Sequence, residues 1–296
     1  MAAATNIQRQ LDLIRRLTDE PTISSKYSDN DLIEHIESAN QIVMTELHTA
    51  ADNAMLSRFN ITISDGNNVF LLPPAVEAIT RIAKLNGVTG LPDWQMVPSS
   101  EWGFRGPGVR IEGRLLRFDP SWAGDSDVLE ILYVPNGDFR IHYGTAVAAT
   151  STTLQMTPTP TAGILDTRDN AYLGSLLRVV SDGNGYIQER TIIAYNRVTQ
   201  TATVSPAFSP ALSGTITYEV APSYERFLEK VVSLYVAREL RAAAGDAAKT
   251  KNLTALYTEA RRSLRLELSR RQGIISDAFE HDTVVGGARS SMFWVN

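Results

Sequence analysis

The four histidines, His35, His48, His142 and His281, sit in four separate segments of the chain. A metal site is announced by ligands at short fixed spacings, such as HExxH, HxH or two histidines with a carboxylate, and none of these occurs. Each histidine therefore reads as solvated or satisfied within a core. Serines are plentiful, but no GxSxG elbow presents one as a nucleophile, and nothing positive points to a Ser-His-Asp triad assembled from distant segments. The SDGNG run around Asp182 and Asn184 starts like a calcium loop but lacks the glycine and glutamate that such a loop needs at its sixth and twelfth positions. It reads as a β-turn. GFRGPG at 103–108 has glycines that would let a backbone approach a phosphate, without the lysine or the strand-to-helix setting of a phosphate-binding loop. Asp125 and Asp127 would do acid-base work only if both faced one cleft with their pKa values driven apart, and before a strand they read as solvated turn residues. No catalytic, metal or cofactor site is recognisable, and an enzyme is not expected.

Two further clusters suggest contact rather than chemistry. Arg261, Arg262, Arg265, Arg270 and Arg271 flank an apolar helical stripe and form a cationic face on which phosphates of a DNA channel or an acidic neighbouring subunit could dock. The competing reading is an ordinary solvated face, neutralised by the acidic N-terminal helices within the molecule or between subunits. No aromatic interleaving supports single-strand binding. The C-terminal stretch carries Phe279 and ends in Met292, Phe293, Trp294 and Val295, and such a cluster is costly in water unless it docks on its own chain or anchors in a partner. The partner reading is preferred.

These clusters must be positioned by about two folded units, given 296 residues of which 43% are hydrophobic. Zero cysteines exclude disulfides, thiolate nucleophiles and cysteine-ligated zinc. No apolar run reaches the roughly 18 residues of a membrane span, and MAAATNIQRQLDLIRRL is charged where a secretory segment would be apolar, so neither a membrane anchor nor export by that route is expected. The net charge of -5 hides a split: residues 1–57 hold nine acids against four bases, and 249–271 hold seven bases against two acids. Opposite ends of this kind could pair side to side in a closed head-to-tail ring.

Ile7, Leu11, Ile14 and Leu17 predict a first helix that stops before Pro21, and Leu32, Ile36, Val43 and Leu47 predict a second, to about residue 57, with a capping signal at Ser28 and Asp31. Alternation at Phe59, Ile61 and Ile63, then DGNN and VFLL, predicts a hairpin. Residues 73–85 read as a helical turn and then a strand, 87–108 as loop, and 109–119 and 127–144 as strands. Residues 148–220 are rich in Thr, Ser, Gly and Pro with frequent turns, the pattern of a small all-β module. Two apolar stripes then predict helices, Phe227 to Leu240 and Leu253 to Leu268, the first stopping at Gly245 and the second before Gly273. The expected architecture is α+β: an antiparallel helix bundle of N-terminal (1–57) and C-terminal (221–272) helix pairs, a central β unit (58–147), an inserted all-β module (148–220) and an extended tail (273–296).

Two helices, LPPAVEAITRI, VRIEGRLLRFDPSWAGDSDVLEILYV, and YERFLEKVVSLYVARELRAAAG followed by LTALYTEARRSLRLELSRRQG together resemble the head-to-tail adaptor of short-tailed phages, also called tail tubular protein A. The IEGRLL strand (111–116) and the helix at 223–245 are the most telling stretches. The inserted module is similar to a small β domain recurring in phage structural proteins, matching its order at Tyr172, Gly174, Arg190, Thr191, Ile192, Tyr195, Ala202, Thr203, Val204, Pro206 and Ala207. The two resemblances cover roughly residues 5–272, and the insert departs from the basic adaptor. They imply a virion structural protein at the head-to-tail junction, present in host cytoplasm during assembly. They also imply a ring of about twelve copies under the portal, connected to the next tail protein (nozzle or tail tube), with double-stranded DNA passing through the lumen. In that family the C-terminal segment reaches along or between portal subunits, which would make Phe279 and Met292 to Val295 the portal contact. A rival reading makes the 148–220 module a glycan-binding head for host attachment, with Tyr172, Tyr186, Tyr195 and Phe208 as aromatic platforms. A third, a cell-wall hydrolase, lacks any recognisable acid pair.

Overall fold

The computed structural model describes residues 5–20, 26–50, 55–64, 69–85, 92–96, 109–118, 126–183, 185 and 187–290, with backbone alone at 49–50, 92–96, 109–110 and 269–290. Helix α1 (Asn6–Leu17) starts with a capping box, in which the Gln8 N–H donates to Thr5 Oγ1 at 2.9 Å and the Thr5 N–H donates to Gln8 Oε1 at 3.1 Å. Helix α2 (Asp29–Ala50) is capped at Ser28, whose N–H donates to the Asp31 carboxylate at 2.8 Å. Both helices bury the stripes their spacing predicts, Ile7, Leu11 and Ile14 on the first and Leu32, Ile36, Val43 and Leu47 on the second. Helix α3 (Glu225–Ala243) packs against α1, α2 and helix α4 (Ala247–Ser290). The tight turn from α3 to α4 uses Gly245 at φ +75°, with the Asp246 carboxylate accepting the Lys249 N–H at 3.0 Å.

Between the helix pairs lie three antiparallel sheets. In the first, β1 (Ser57–Thr62) pairs with β7 (Val128–Pro135), which pairs with β3 (Val76–Leu85), which pairs with β4 (Pro92–Met96). A three-stranded sheet runs β2 (Val69–Leu71), β6 (Leu115–Phe118), β5 (Val109–Glu112). The largest has eight strands in the order β11 (Ala162–Gly163), β8 (His142–Thr145), β15 (Thr217–Ala221), β12 (Leu176–Ser181), β13 (Gln188–Asn196), β14 (Thr201–Ser205), β10 (Thr153–Gln155), β9 (Ala148–Ala149).

The expected fold class, an antiparallel helix bundle of N- and C-terminal pairs with the β material looped out of it, is therefore corrected. The described chain is built mainly on its three sheets, with four helices, and the helices have no core of their own. Ile7, Ile36 and Leu228 share one continuous hydrophobic cluster with Leu154, Tyr172, Leu177 and Val220 of the eight-stranded sheet. A stripe at helical spacing shows that a face must be covered but not by what, and the apolar face of a large sheet covers it as well as another helix does. A second cluster, including Phe59, Ile82, Leu116, Leu129 and Ile131, fills the space between the two smaller sheets.

Four local expectations also change. The stretch 87–108, expected as loop, holds β4 at Pro92–Met96, because pairing with β3 gives the edge strand its ladder despite the nearby prolines. The alternating run at Phe59 to Ile63 forms no hairpin with the strand after it: β1 pairs with β7 and β2 with β6. The eight-stranded sheet begins at His142 rather than at 148, because β8 pairs with both β15 and β11. The segment 273–290, expected as extended, continues α4 through Ser290. An interior glycine costs a helix only about 1 kcal/mol relative to alanine, so Gly273 weakens the helix without ending it.

Candidate assembly surface on the C-terminal helices

Helix α4 turns Leu253, Tyr257, Ala260, Leu264 and Leu268 inward, at steps of three and four. Opposite them on α3, Tyr235 meets the Tyr257 ring edge-on at 5.6 Å between centroids, and the Arg238 guanidinium lies over both rings at 4.5 and 4.9 Å. From α2, the Glu46 carboxylate accepts the Tyr257 hydroxyl at 2.9 Å and Arg261 Nη1 at 2.5 Å, while Arg265 Nη2 donates to the Glu46 carbonyl at 3.3 Å. Burial, with Glu46 beside it, pushes the Tyr257 hydroxyl up to about 12.

The predicted cationic face is thereby divided. Arg261 and Arg265 spend their charge on α2 of the same chain, while Arg262 is exposed and lines an open groove with Lys251, Thr254, Thr258 and Glu259. Arg270 and Arg271 lie in the part of α4 described by backbone alone. A second acidic residue of the N-terminal segment, Asp19, faces Arg241 at 3.4 Å and pairs with Lys249 at the α3–α4 turn. At these sites the opposite charges of the two chain ends meet within one molecule, so their side-to-side pairing between copies is not needed to neutralise them.

The outer face of α4 carries Leu256 and Leu266, 49% and 53% exposed. Because α3 runs back from Ala243 and begins at Glu225, it accompanies α4 only through its first half. Residues 269–290 extend about 33 Å further, at 1.5 Å per residue. Phe279 falls within this helical stretch, where only the backbone is described, and Met292, Phe293, Trp294 and Val295 lie outside the described residues.

The remaining candidates are dispersed. His35 is exposed on α2, His48 is half-buried with its pKa lowered by burial, and His142 is completely buried on β8, its ring edge-on to Tyr218 of the neighbouring β15. His281 is described by backbone alone. Among the described residues no three His, Asp or Glu side chains gather as a metal would require. The Gly185 N–H closes a turn on the Asp182 carbonyl at 3.0 Å, and Asn184 lies outside the described residues, as do 103–108 and Asp125. Asp127 pairs with Lys84 at 2.6 Å. Tyr172, Tyr195 and Phe208 are buried in the core and offer no exposed aromatic platform, and Tyr186 lies outside the described residues.

Sequence reasoning missed a set of partly and fully buried ion pairs in and around the eight-stranded sheet. Arg168 bridges Asp138, at 2.5 Å, and Asp166, at 2.6 Å. Arg140 bonds Glu37 at 2.5 Å, and Arg178 stands among Glu189, Glu219 and Glu225. The alternation of β15, TYEVA, puts Glu219 on the face opposite Tyr218 and Val220, which reads as the solvent side, so the sequence carried no signal that α1 and α3 cover that carboxylate. No helix among the described residues is long and apolar enough to cross a membrane. No protein-family model matches the chain, and no curated protein matches it.

Proposed function

We propose that this chain is a non-enzymatic structural adaptor of a phage particle, which joins the portal ring to the next tail protein and contacts the portal through the far half of α4. The observation that carries the reading is the length of α4, whose residues 269–290 extend past the end of α3. A helix in a protein draws most of its stability from packing rather than from intrinsic propensity, so the helical form of these residues is best supported by a partner that covers them. The resemblance in the stretches 111–116 and 223–245 supplies the identity of that partner. It also supplies the ring of copies and the DNA lumen, beside which Arg262 is the exposed basic side chain best available.

The test is co-sedimentation with portal rings of the phage that encodes the chain, comparing the full-length protein with one ending at Gly273, which keeps the inward residues Leu253 to Leu268 of α4. Saturable binding by the full-length chain alone is the expected result. Equal binding by both would remove the α4 arm from the contact, and binding by neither would overturn the adaptor reading.

A further inference from the structure

Where α1 and α3 begin, Arg178 of β12 stands among three carboxylates. Its Nη1 bonds Glu219 of β15, and its Nε donates to Glu189 of β13 at 2.8 Å. Its Nη2 faces Glu225, the first residue of α3, across 3.9 Å, and neither that nitrogen nor Glu225 Oε2 has a hydrogen-bond partner although both are buried. The second oxygen of Glu219 accepts the Ile7 N–H, in the first turn of α1, at 3.2 Å. Three elements of the chain therefore converge on one guanidinium.

The charges do not balance. Glu189 lies towards the rim and is also paired with Arg226 at 2.7 Å. Glu219 is fully buried and Glu225 is 7% exposed, and they share the single buried cation Arg178. Two buried carboxylates on one cation leave an excess negative charge where water cannot solvate it, and a single proton removes that excess.

The other charged groups around the cluster are few. From α3 itself come Glu229 and Arg226. From α1 come its N-terminal N–H groups and, beyond Glu229, Arg9, Asp12, Arg15 and Arg16. Helices α2 and α4 meet α3 further along, near Tyr235, through Glu46, Tyr257 and Arg261.

We propose that the Arg178–Glu219–Glu225 cluster is a proton-operated latch. It seats the first turns of α1 and α3 on the eight-stranded sheet while one proton is held on Glu225, and loosens both when that proton leaves. Burial first, and Glu219 second, push the Glu225 carboxyl up to about 7 against the pull of Arg178. The folded state thus favours the neutral acid; the stabilisation is complete only below about 4.5, the ordinary glutamate value, and is lost progressively as the pH rises from there to about 7. Once ionised, Glu225 competes with Glu219 for Arg178, and the bond from Glu219 to α1 is the contact that weakens.

The experiment is amide hydrogen exchange of the full chain between about pH 5.5 and 8.5, corrected for intrinsic exchange rates. The Ile7 and Phe227 amides are expected to lose on the order of thirtyfold in protection across that range, since about 1.5 units separate pH 5.5 from the raised carboxyl value of about 7 and each unit is a tenfold change in equilibrium. In Glu225→Gln, which is permanently neutral, their protection should stay level. A wild-type chain without the loss, or a Glu225→Gln chain that keeps it, would overturn the latch. Carbon-13 NMR of labelled glutamate carboxyls in the wild-type chain decides independently of how the variant folds. One carboxyl titrating near neutrality is expected, and all of them titrating in the ordinary carboxylate range would exclude the latch.

Discussion

Arg261 on α4 places its Nη1 2.5 Å from the Glu46 carboxylate on α2, so a cation of the basic C-terminal stretch is matched by an acid of the same chain. The pair is about one-third exposed, which limits its worth through solvent screening. Glu46→Gln, which also weakens the acceptor of the Tyr257 hydroxyl, should lower stability by about 1 kcal/mol in low salt and by less in about 1 M salt. Arg262→Ala, on the exposed face, should stay within about 0.5 kcal/mol of wild type. Denaturant midpoints at two salt concentrations check both, and an equal loss in the two variants would contradict the division of the basic face.

His142 is completely enclosed, with Nδ1 3.4 Å from the Tyr172 hydroxyl, and burial depresses its pKa to about 3. A base whose folded pKa is depressed contributes stability that is present above its ordinary value and is lost as the pH falls towards the depressed one. Acid should therefore destabilise the chain progressively from about pH 6.5 downwards, by an amount on the order of 5 kcal/mol from this residue. His142→Phe should flatten that part of the acid-unfolding curve, whatever it costs at neutral pH. Proton NMR showing the His142 ring titrating between pH 6 and 7 would contradict the assignment.

Gly174 adopts φ +78°, and a Cβ there would lie 2.9 Å from the Arg58 carbonyl oxygen and 3.1 Å from Phe59 Cβ on β1. Backbone strain and the collision act together, so Gly174→Ala should cost about 2 kcal/mol or more and loosen β1 from the eight-stranded sheet. Thermal unfolding checks the first part and amide exchange on β1 the second. A variant as stable as wild type would show that β1 parts from Gly174 there without cost.

Arg168 grips Asp138 and Asp166 with two edges of its guanidinium, and the hydrogen bond from Arg168 holds the Asp138 carboxyl below its ordinary pKa. Arg168→Ala strands the buried Asp166 and should cost about 2 kcal/mol, discounted for the partial exposure of the arginine. Arg168→Lys should recover only part of this, because one ammonium cannot fork across two carboxylates. The Asp138 contribution is present above the ordinary aspartate pKa and fades as the pH falls below it, so the gap between wild type and Arg168→Ala should narrow in acid. A gap that is constant from pH 3 to pH 7 would contradict this role.

Much of the local structure was legible. The helical spacing of Ile7, Leu11 and Ile14 and the capping pair Ser28 and Asp31 are properties of a few adjacent residues, as are the alternating runs that became β12 to β15. The candidate surface was legible in part. The basic character of 249–271 is written in its composition, but the division between Arg261, turned to Glu46, and Arg262, turned to water, depends on where α2 lies.

Length, charge asymmetry, the positions of the helical stripes and the absence of cysteine were determined by the sequence alone, because each is a count or a short-range period. Only the tertiary structure decided that the helices cover an eight-stranded sheet, that β1 seeks β7 across more than sixty residues, and that Arg178 is enclosed with Glu219 and Glu225. An apolar face or a lone charge needs a partner, but many partners satisfy the same local pattern. The choice among them is made by the packing of the whole chain, where burial, register and charge must be satisfied together.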